Sequence, residues 1–103
     1  MHPVAPAISC ADLLKALGDD TRLRVVKYLF EGERHVGELQ TDLGIEQSLL
    51  SHHLRLLKNA GIVASERDGK AVLYRLAPAV EMRRSGKTLD LGCCRLSFES
   101  NCC

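Results

Sequence analysis

Apolar side chains recur at spacings of three and four residues along the first 60 residues of the chain, which is the pattern of amphipathic helices. This pattern predicts four helices, at residues 10–17, about 20–30, 36–43 and 48 to about 60. Asp19 is placed to cap the second helix, and Gly44 fits the left-handed position that often follows a helix end. Two short helices joined by a few residues around a glycine match the helix-turn-helix pattern.

The pattern changes after Gly61, which stops the fourth helix. Residues 63–67 and 70–76 are of β type, and Asp68-Gly69 between them is a hairpin signal, because a type I′ turn needs positive φ at both central positions. Pro78 can start a final helix, but the polar run that follows weakens it early. The predicted fold is therefore mainly α with a small β-hairpin, a winged helix-turn-helix.

The 103 residues are enough for one domain, and pairing with a second copy would add buried surface to its modest core. We expect a flexible N-terminal arm at residues 1–9 and a winged helix-turn-helix domain for DNA binding and dimerisation at residues 10–84. Residues 85–103 form a compositionally separate, Cys-rich C-terminal tail, which holds four of the five cysteines.

The formal net charge is only +1, so an argument for nucleic acid has to rest on local charge. The N-terminal segment has neither a basic region nor a long apolar run, and no segment is long enough to span a bilayer. We therefore expect a cytoplasmic protein with no membrane partner. In that compartment, cysteines are metal ligands or redox-active thiols more often than structural disulfides.

The fourth predicted helix has a polar face without acidic residues. Leu50, Leu54 and Leu57 would dock the helix on the core, and no acid occurs between residues 47 and 64. In a helix-turn-helix, the N-terminal residues of the second helix reach base edges, and nearby cations approach phosphates. The side chains predicted to contact DNA are Gln47, Ser48, Ser51, His52, Arg55 and Lys58 on this helix, with Arg67 and Lys70 beside the hairpin turn.

An ordinary surface helix would show a similar polar face, and the two hairpin cations would also serve solubility alone. The preceding short helix with its glycine, together with the following hairpin, favours DNA binding. His53 lies toward the packed side, which predicts a structural histidine. Ser51 and His52 are neighbours on one helix and create no catalytic triad, so we do not expect an enzyme.

Three segments resemble the ArsR/SmtB family of winged-helix repressors: LLKALGDDTRLRVVKYL, VGELQTDLGIEQSLLSHHLRLLKNAGIV and RDGKAVLYRL, within roughly residues 11–78. The resemblance implies a homodimer, packed through its first and last helices, that represses a metal-resistance or stress operon by binding double-stranded operator DNA. Soft metals, metalloids or sulfur species release such repressors. The short last helix departs from the family pattern and puts that part of the dimer surface in doubt.

Two sensing sites of the family are absent from this sequence. A cysteine pair in the third helix has no counterpart in residues 37–43, and a site of Asp, His and Glu on the last helix has none because no histidine follows His53. A zinc or nickel sensor of that design is therefore disfavoured. The metal ligands that we predict instead are the tail cysteines Cys93, Cys94, Cys102 and Cys103.

Thiolates are soft ligands and select soft ions. Three thiolates in a pyramid suit As(III), the favoured effector, or Sb(III), while Cd, Pb, Bi and Hg ions are also compatible. Some family members sense arsenic with C-terminal cysteine clusters. For Cys93 and Cys94 to share one ion, the backbone has to turn, which Gly92 would permit. Cys10 is expected in the core or at the dimer interface and not among the ligands, with a place in a site of the dimer as the open alternative.

Other roles for the cysteines stay open. The thiols would also suit a repressor of the same fold that senses oxidants or reactive sulfur through a disulfide or polysulfide bridge. Four thiolates would hold zinc, although vicinal pairs are not the usual arrangement of structural zinc sites. A thiol-rich metal-binding protein without DNA function, or tail cysteines without a specific role, are the remaining alternatives.

Overall fold

The computed structural model of the chain describes residues 9–98. Its helices are α1 (Cys10–Leu17), α2 (Asp20–Phe30), α3 (Val36–Leu43), α4 (Gln47–Asn59) and α5 (Pro78–Glu81). Its strands are β1 (Arg34–His35), β2 (Val63–Asp68), β3 (Ala71–Leu76), β4 (Arg84–Ser85), β5 (Thr88–Asp90) and β6 (Arg95–Ser97). The bounds predicted for the first three helices are confirmed. Most of the predicted N-terminal arm lies outside the described residues.

Side-chain caps set where the first two helices begin. Ser9 Oγ accepts the N–H of Asp12 at 3.1 Å, and Asp19 accepts the N–H of Arg22 at 3.1 Å, as predicted for the second helix. The Arg22 guanidinium also donates to the carbonyl of Ala16 at 2.5 Å. The end of α1 is thereby joined to the first turn of α2.

The core forms where α2, α3 and α4 pack together. Leu39, Leu50 and Leu57 are fully buried, and Leu54 is 1% exposed. Gly44 follows α3 with φ +65°, the left-handed conformation that the sequence predicted. The short connection at residues 44–46 therefore turns the chain directly from α3 into α4, and the helix-turn-helix is present.

The wing is a hairpin of β2 and β3, and β1 pairs with the other edge of β3. Asp68 pairs with Ala71, so the two-residue loop is Gly69-Lys70 and not the predicted Asp68-Gly69. Gly69 has φ +66°, which a glycine adopts without steric cost. Asp68, the last residue of β2, contacts His35, as described below.

The C-terminal part is a second antiparallel sheet, β4-β5-β6, that the sequence analysis did not predict. It follows α5, which begins with Pro78 as expected and ends after one turn. Leu89, Leu91 and Phe98 are buried, and the Phe98 ring lies 5.0 Å from that of Phe30 in α2. Residues 84–98 are therefore packed on the helices, whereas Cys102 and Cys103 lie outside the described part of the chain.

The longest helix among residues 9–98 is α4, and it is amphipathic. No helix in this range has both the length and the apolar composition that crossing a bilayer requires.

Candidate nucleic-acid interface and thiol cluster

The first turn of α4 is capped by Glu46, which corrects the prediction that Ser48 opens this helix. The Glu46 carboxylate accepts the N–H of Leu49 at 3.2 Å and the hydroxyl of Ser48 at 2.6 Å. The bond from Ser48 and the backbone N–H groups lower the pKa of Glu46, so its negative charge lies at the positive end of the helix dipole. The acid-free face of α4 thus begins directly after a carboxylate.

The face of α4 opposite the core is exposed and polar. Leu49 and Leu56 are 47% and 37% exposed, although leucines are usually buried, and the sequence analysis did not single them out. Their position off the stripe of Leu50, Leu54 and Leu57 was the signal that would have identified them. Apolar side chains in this position can contact thymine methyl groups. The six predicted contact residues on this helix are all exposed, namely Gln47, Ser48, Ser51, His52, Arg55 and Lys58.

His53 holds the buried side of α4 against the start of α2. Only 8% of the residue is exposed, and its Nδ1 lies 3.0 Å from the Arg22 guanidinium. Because a guanidinium only donates, Nδ1 is the acceptor in this bond. The Asp19 carboxylate lies 3.8 Å from the same ring atom. His53 is thus a structural histidine, as predicted.

The cap residue Asp19 interacts with both Arg22 and His53. Partial burial alone would raise the pKa of Asp19, but the N–H of Arg22 and the nearby His53 and Arg22 side chains together lower it. An ionised Asp19 favours both the cap and the Arg22 contact. A polar contact to the α1–α2 junction therefore supplements the leucine packing that holds α4 on the core.

The wing carries two exposed cations, Arg67 and Lys70, and two acidic residues that are paired with other side chains. Asp68 Oδ2 is 2.8 Å from His35 Nε2, and Glu66 pairs with Arg75. Within the described residues, no ion pair involves Arg67 or Lys70. The wing therefore presents positive charge at its turn.

The wing is joined to the start of α3 and to α4 by polar contacts. The hydrogen bond that His35 donates to Asp68, and then the one that it donates to Glu38, raise the pKa of His35. Lys58 Nζ donates to Ser65 Oγ at 2.9 Å, which joins the last turn of α4 to β2. The predicted contact Lys58 therefore already has a protein partner while it stays exposed.

The structure brings together three cysteines that are far apart in sequence, the thiol cluster of Cys10, Cys93 and Cys94. Cys10 and Cys93 form a disulfide across 83 residues, with a Cα–Cα distance of 6.4 Å. Cys94 is a free thiol whose Sγ lies 3.9 Å from that of Cys93. Cys10 is half-buried at the core, as expected, but its pairing with Cys93 was missed.

A tight turn between β5 and β6 places the two vicinal cysteines. Leu91 N–H donates to the carbonyl of Cys94 at 2.9 Å, and Gly92 has φ +93°. The turn that a shared ion would require at Gly92 is thus present. Two thiolates on one ion, with metal–sulfur bonds of about 2.3 Å at tetrahedral angles, lie roughly 3.8 Å apart. The Cys93–Cys94 sulfur distance of 3.9 Å therefore fits two ligands of a tetrahedral ion.

The Cys10–Cys93 disulfide prevents Cys93 from acting as a thiolate ligand beside Cys94. Among residues 9–98, no three His, Cys, Asp or Glu side chains are grouped so that they would hold a metal ion. The predicted ligands Cys102 and Cys103 lie outside this range. In its oxidised form the thiol cluster therefore contributes one free thiol, that of Cys94.

The fold and sequence have clear relatives. The sequence profile described as "Bacterial regulatory protein, arsR family" matches residues 19–65. The HTH-type transcriptional repressor SmtB of Mycobacterium tuberculosis is 46% identical over 69 residues, which are 67% of this chain and 51% of that protein. The chain thus matches about half the length of this curated relative.

Two solved structures have the same fold. The transcriptional repressor BigR from Xylella fastidiosa is 46% identical with a TM-score of 0.63, covering 67% of this chain and 70% of that one. A homodimeric winged helix-turn-helix DNA-binding domain from Mycobacterium bovis is 35% identical with a TM-score of 0.64, covering 67% and 64%. The predicted winged helix-turn-helix is confirmed. The family and these relatives are regulators of transcription, in agreement with the expectation that the chain is not an enzyme.

Proposed function

Because this chain belongs to the arsR family of bacterial regulatory proteins, we propose that it is a transcriptional repressor that binds double-stranded operator DNA as a homodimer. The observation that carries this proposal is the exposed, acid-free face of α4, flanked by the exposed cations Arg67 and Lys70 of the wing. A fixed recognition helix beside a cationic hairpin suits major-groove reading combined with phosphate contacts.

In this proposal each subunit inserts the first turns of α4 into one of two successive major grooves. Gln47, Ser51 and Arg55 reach base edges, and the arginine guanidinium is suited to a bidentate bond with guanine. Ser48 accepts hydrogen bonds from DNA, because its own proton is donated to Glu46. Lys58 and the two wing cations contact phosphates, and the affinity falls as salt rises.

The DNA-binding test compares two arginine variants of the reduced protein by fluorescence anisotropy on its own promoter. Arg55→Ala is expected to weaken operator binding by roughly 10- to 100-fold, because the loss of one good base contact changes the affinity by about this factor. Arg95→Ala removes an exposed arginine from β6, in the second sheet, and is expected to leave binding unchanged. Equal losses in the two variants would contradict the assignment of α4 as the recognition helix.

The effector in this proposal is a soft metal or metalloid ion bound by the C-terminal cysteine thiolates, with As(III) or Sb(III) favoured. Support comes from the 3.9 Å separation of the Cys93 and Cys94 sulfurs and from the turn that presents them. Cys102 and Cys103 supply further thiolates in this scheme. Release from DNA requires that the ion binds more tightly to a DNA-free conformation.

The effector test titrates the protein–DNA complex with arsenite, antimonite, cadmium, lead, zinc and a polysulfide donor. We expect one soft species to release the DNA at a concentration at which zinc does not. The Cys93→Ser/Cys94→Ser double variant should stay on the DNA. A full response of this variant would exclude the C-terminal site.

The same titrations also address the rival protein class. A thiol-rich metal-binding protein without DNA function would take up the ion but show no operator affinity in the reduced state. The positive charge at the wing turn and the acid-free α4 face favour the repressor over this alternative.

A further inference from the structure

We propose that Cys10 and Cys93 form a redox gate, in which their disulfide closes the vicinal Cys93–Cys94 pair to an ion, and Cys10 is the redox partner and not an ion ligand. This inference rests on the proposed effector function of the C-terminal cysteines. It adds an oxidant as a second input to that site.

The position of Cys10 favours a dedicated redox partner. It is the first residue of α1, directly after the cap residue Ser9, so its backbone is fixed by the start of the helix. Its Sγ lies 3.5 Å from the carbonyl of Leu91, the residue that opens the β5–β6 turn. In the reduced chain this carbonyl is an acceptor for the Cys10 thiol, which keeps the sulfur next to the turn.

The β5–β6 turn is equally well fixed. Leu89 and Leu91 are 1% and 7% exposed, and Asp90 Oδ1 accepts the N–H of Gly92 at 2.8 Å. The sulfur of Cys93 is therefore presented to Cys10 by a packed sheet. A disulfide between these two elements forms without a large movement of the backbone.

The two states of Cys93 exclude each other. With the disulfide present, only Cys94 is free within the described residues, and one thiolate does not make a chelating site. With the disulfide reduced, Cys93 and Cys94 offer two neighbouring sulfurs to one ion. Oxidation and ion binding therefore compete for the same sulfur atom.

The oxidant that fits this chemistry is a hydroperoxide. The exposed Cys93 thiolate attacks the distal peroxide oxygen, which gives a sulfenic acid and releases an alkoxide or, from hydrogen peroxide, a hydroxide. This leaving group takes a proton from the solvent and becomes the alcohol or water. The Cys10 thiol then attacks the Cys93 sulfur, so that the S–S bond forms and the sulfenic oxygen leaves as water. A dithiol reductant reverses the gate by exchange, becoming oxidised to its own disulfide while both thiols are restored.

The test uses the full chain with Cys102→Ser/Cys103→Ser as background, so that only the thiol cluster remains. Each protein is treated with stoichiometric hydrogen peroxide and mapped by non-reducing peptide mass spectrometry. Binding of phenylarsine oxide, an arsenical that takes two thiolates, is measured before and after treatment. The variants are Cys10→Ser, and Cys94→Ser as the control that keeps both gate cysteines.

We expect the treated background protein to contain the Cys10–Cys93 disulfide and to bind phenylarsine oxide at least about tenfold more weakly than the reduced protein. Cys10→Ser should bind as the background does when reduced, and after treatment its Cys93 should remain a sulfenic acid that dimedone traps, because the resolving thiol is missing. Cys94→Ser should still form the Cys10–Cys93 disulfide. A dithiol reductant should restore binding to the oxidised background protein.

Three results would overturn the gate: a map without Cys10–Cys93, equal affinity in the two redox states of the background protein, or equal dimedone trapping of Cys93 in the background protein and in Cys10→Ser. A reduced Cys10→Ser protein that no longer binds the arsenical would show that Cys10 is a ligand and would also reject the gate. Failure of the reduced background protein to bind at all would reject the vicinal-pair site itself. Operator binding, measured separately, is independent of each of these outcomes.

Discussion

The helix-turn-helix with its wing and the C-terminal sheet β4-β5-β6 are stabilised in different ways. The first unit is defined by local features, such as the cap at Glu46 and the left-handed Gly44. The second is attached by contacts between residues distant in sequence, namely the Phe30–Phe98 ring pair and the Cys10–Cys93 disulfide. The proposed DNA-binding surface therefore rests on local sequence, whereas the proposed sensing surface rests on tertiary contacts.

This difference suits a regulator. Among these contacts the Cys10–Cys93 disulfide is sensitive to reduction, whereas the cap of a helix is not. A change at the thiol cluster can alter the C-terminal sheet without unfolding the helix-turn-helix. Four perturbations test how far the two units are independent.

The largest effect is expected from removing the aromatic contact of the C-terminal sheet. Phe98→Ala should lower the free energy of unfolding by about 3–5 kcal/mol, because it leaves a cavity beside Phe30. Hydrogen exchange should increase in β5 and β6 before it increases in α4. The matched change Leu54→Ala, in the core under α4, should instead raise exchange throughout the helix-turn-helix. Equal exchange patterns in the two variants would show that the units unfold together.

A somewhat smaller effect is expected from loss of the disulfide. Cys10→Ser should lower the free energy of unfolding of the oxidised protein by about 2–4 kcal/mol, because the cross-link restricts the unfolded chain over a long loop. Urea unfolding of oxidised and reduced samples measures this difference. Reduction should lower the free energy of unfolding of the original protein to nearly that of the variant. A variant as stable as the oxidised protein would indicate that the cross-link does not contribute to stability.

Removing one wing cation should have a modest effect on operator affinity. Lys70→Ala is expected to reduce the slope of log K against log salt by about 0.9 if the lysine contacts one phosphate. Binding to different sequences should weaken to a similar degree. Lys87→Ala provides the comparison in the C-terminal sheet, where this lysine lies 3.9 Å from Glu31. An unchanged slope for Lys70→Ala would remove the wing turn from the DNA interface.

The smallest effect is expected from pH at the wing. The contact with Asp68, and then that with Glu38, raises the pKa of His35 above 6.5 in the folded protein. Its contribution to stability is therefore complete below pH 6.5 and is lost as the pH rises through the higher folded value. Amide exchange in the β2–β3 hairpin should be slower at pH 6 than at pH 8.5 after correction for intrinsic rates. His35→Gln should remove this pH dependence, whereas the exposed His52→Gln should retain it.

Sequence reasoning located most of the helical unit because its signals are local. The Asp19 cap, the Gly44 turn and the stripe of Leu50, Leu54 and Leu57 all act within a few residues, and each lies where it was predicted. Two local details were displaced by one or two residues. Glu46 caps α4 in place of Ser48, because its carboxylate accepts the N–H of Leu49 as a serine hydroxyl would. The hairpin loop begins at Gly69, because one left-handed glycine is enough for the turn and Asp68 stays in the strand.

The sequence by itself determined the order of the helices, the wing and the separation of a polar α4 face from a buried one, because hydrophobic periodicity and capping are short-range properties. It also identified Cys93 and Cys94 as residues with thiol chemistry. Only the tertiary structure decided that residues 84–98 form a sheet and that Cys10 meets Cys93. The strands of that sheet have two or three residues each, too few to show a period, and their pairing depends on burial of Phe98 against a helix more than 60 residues away.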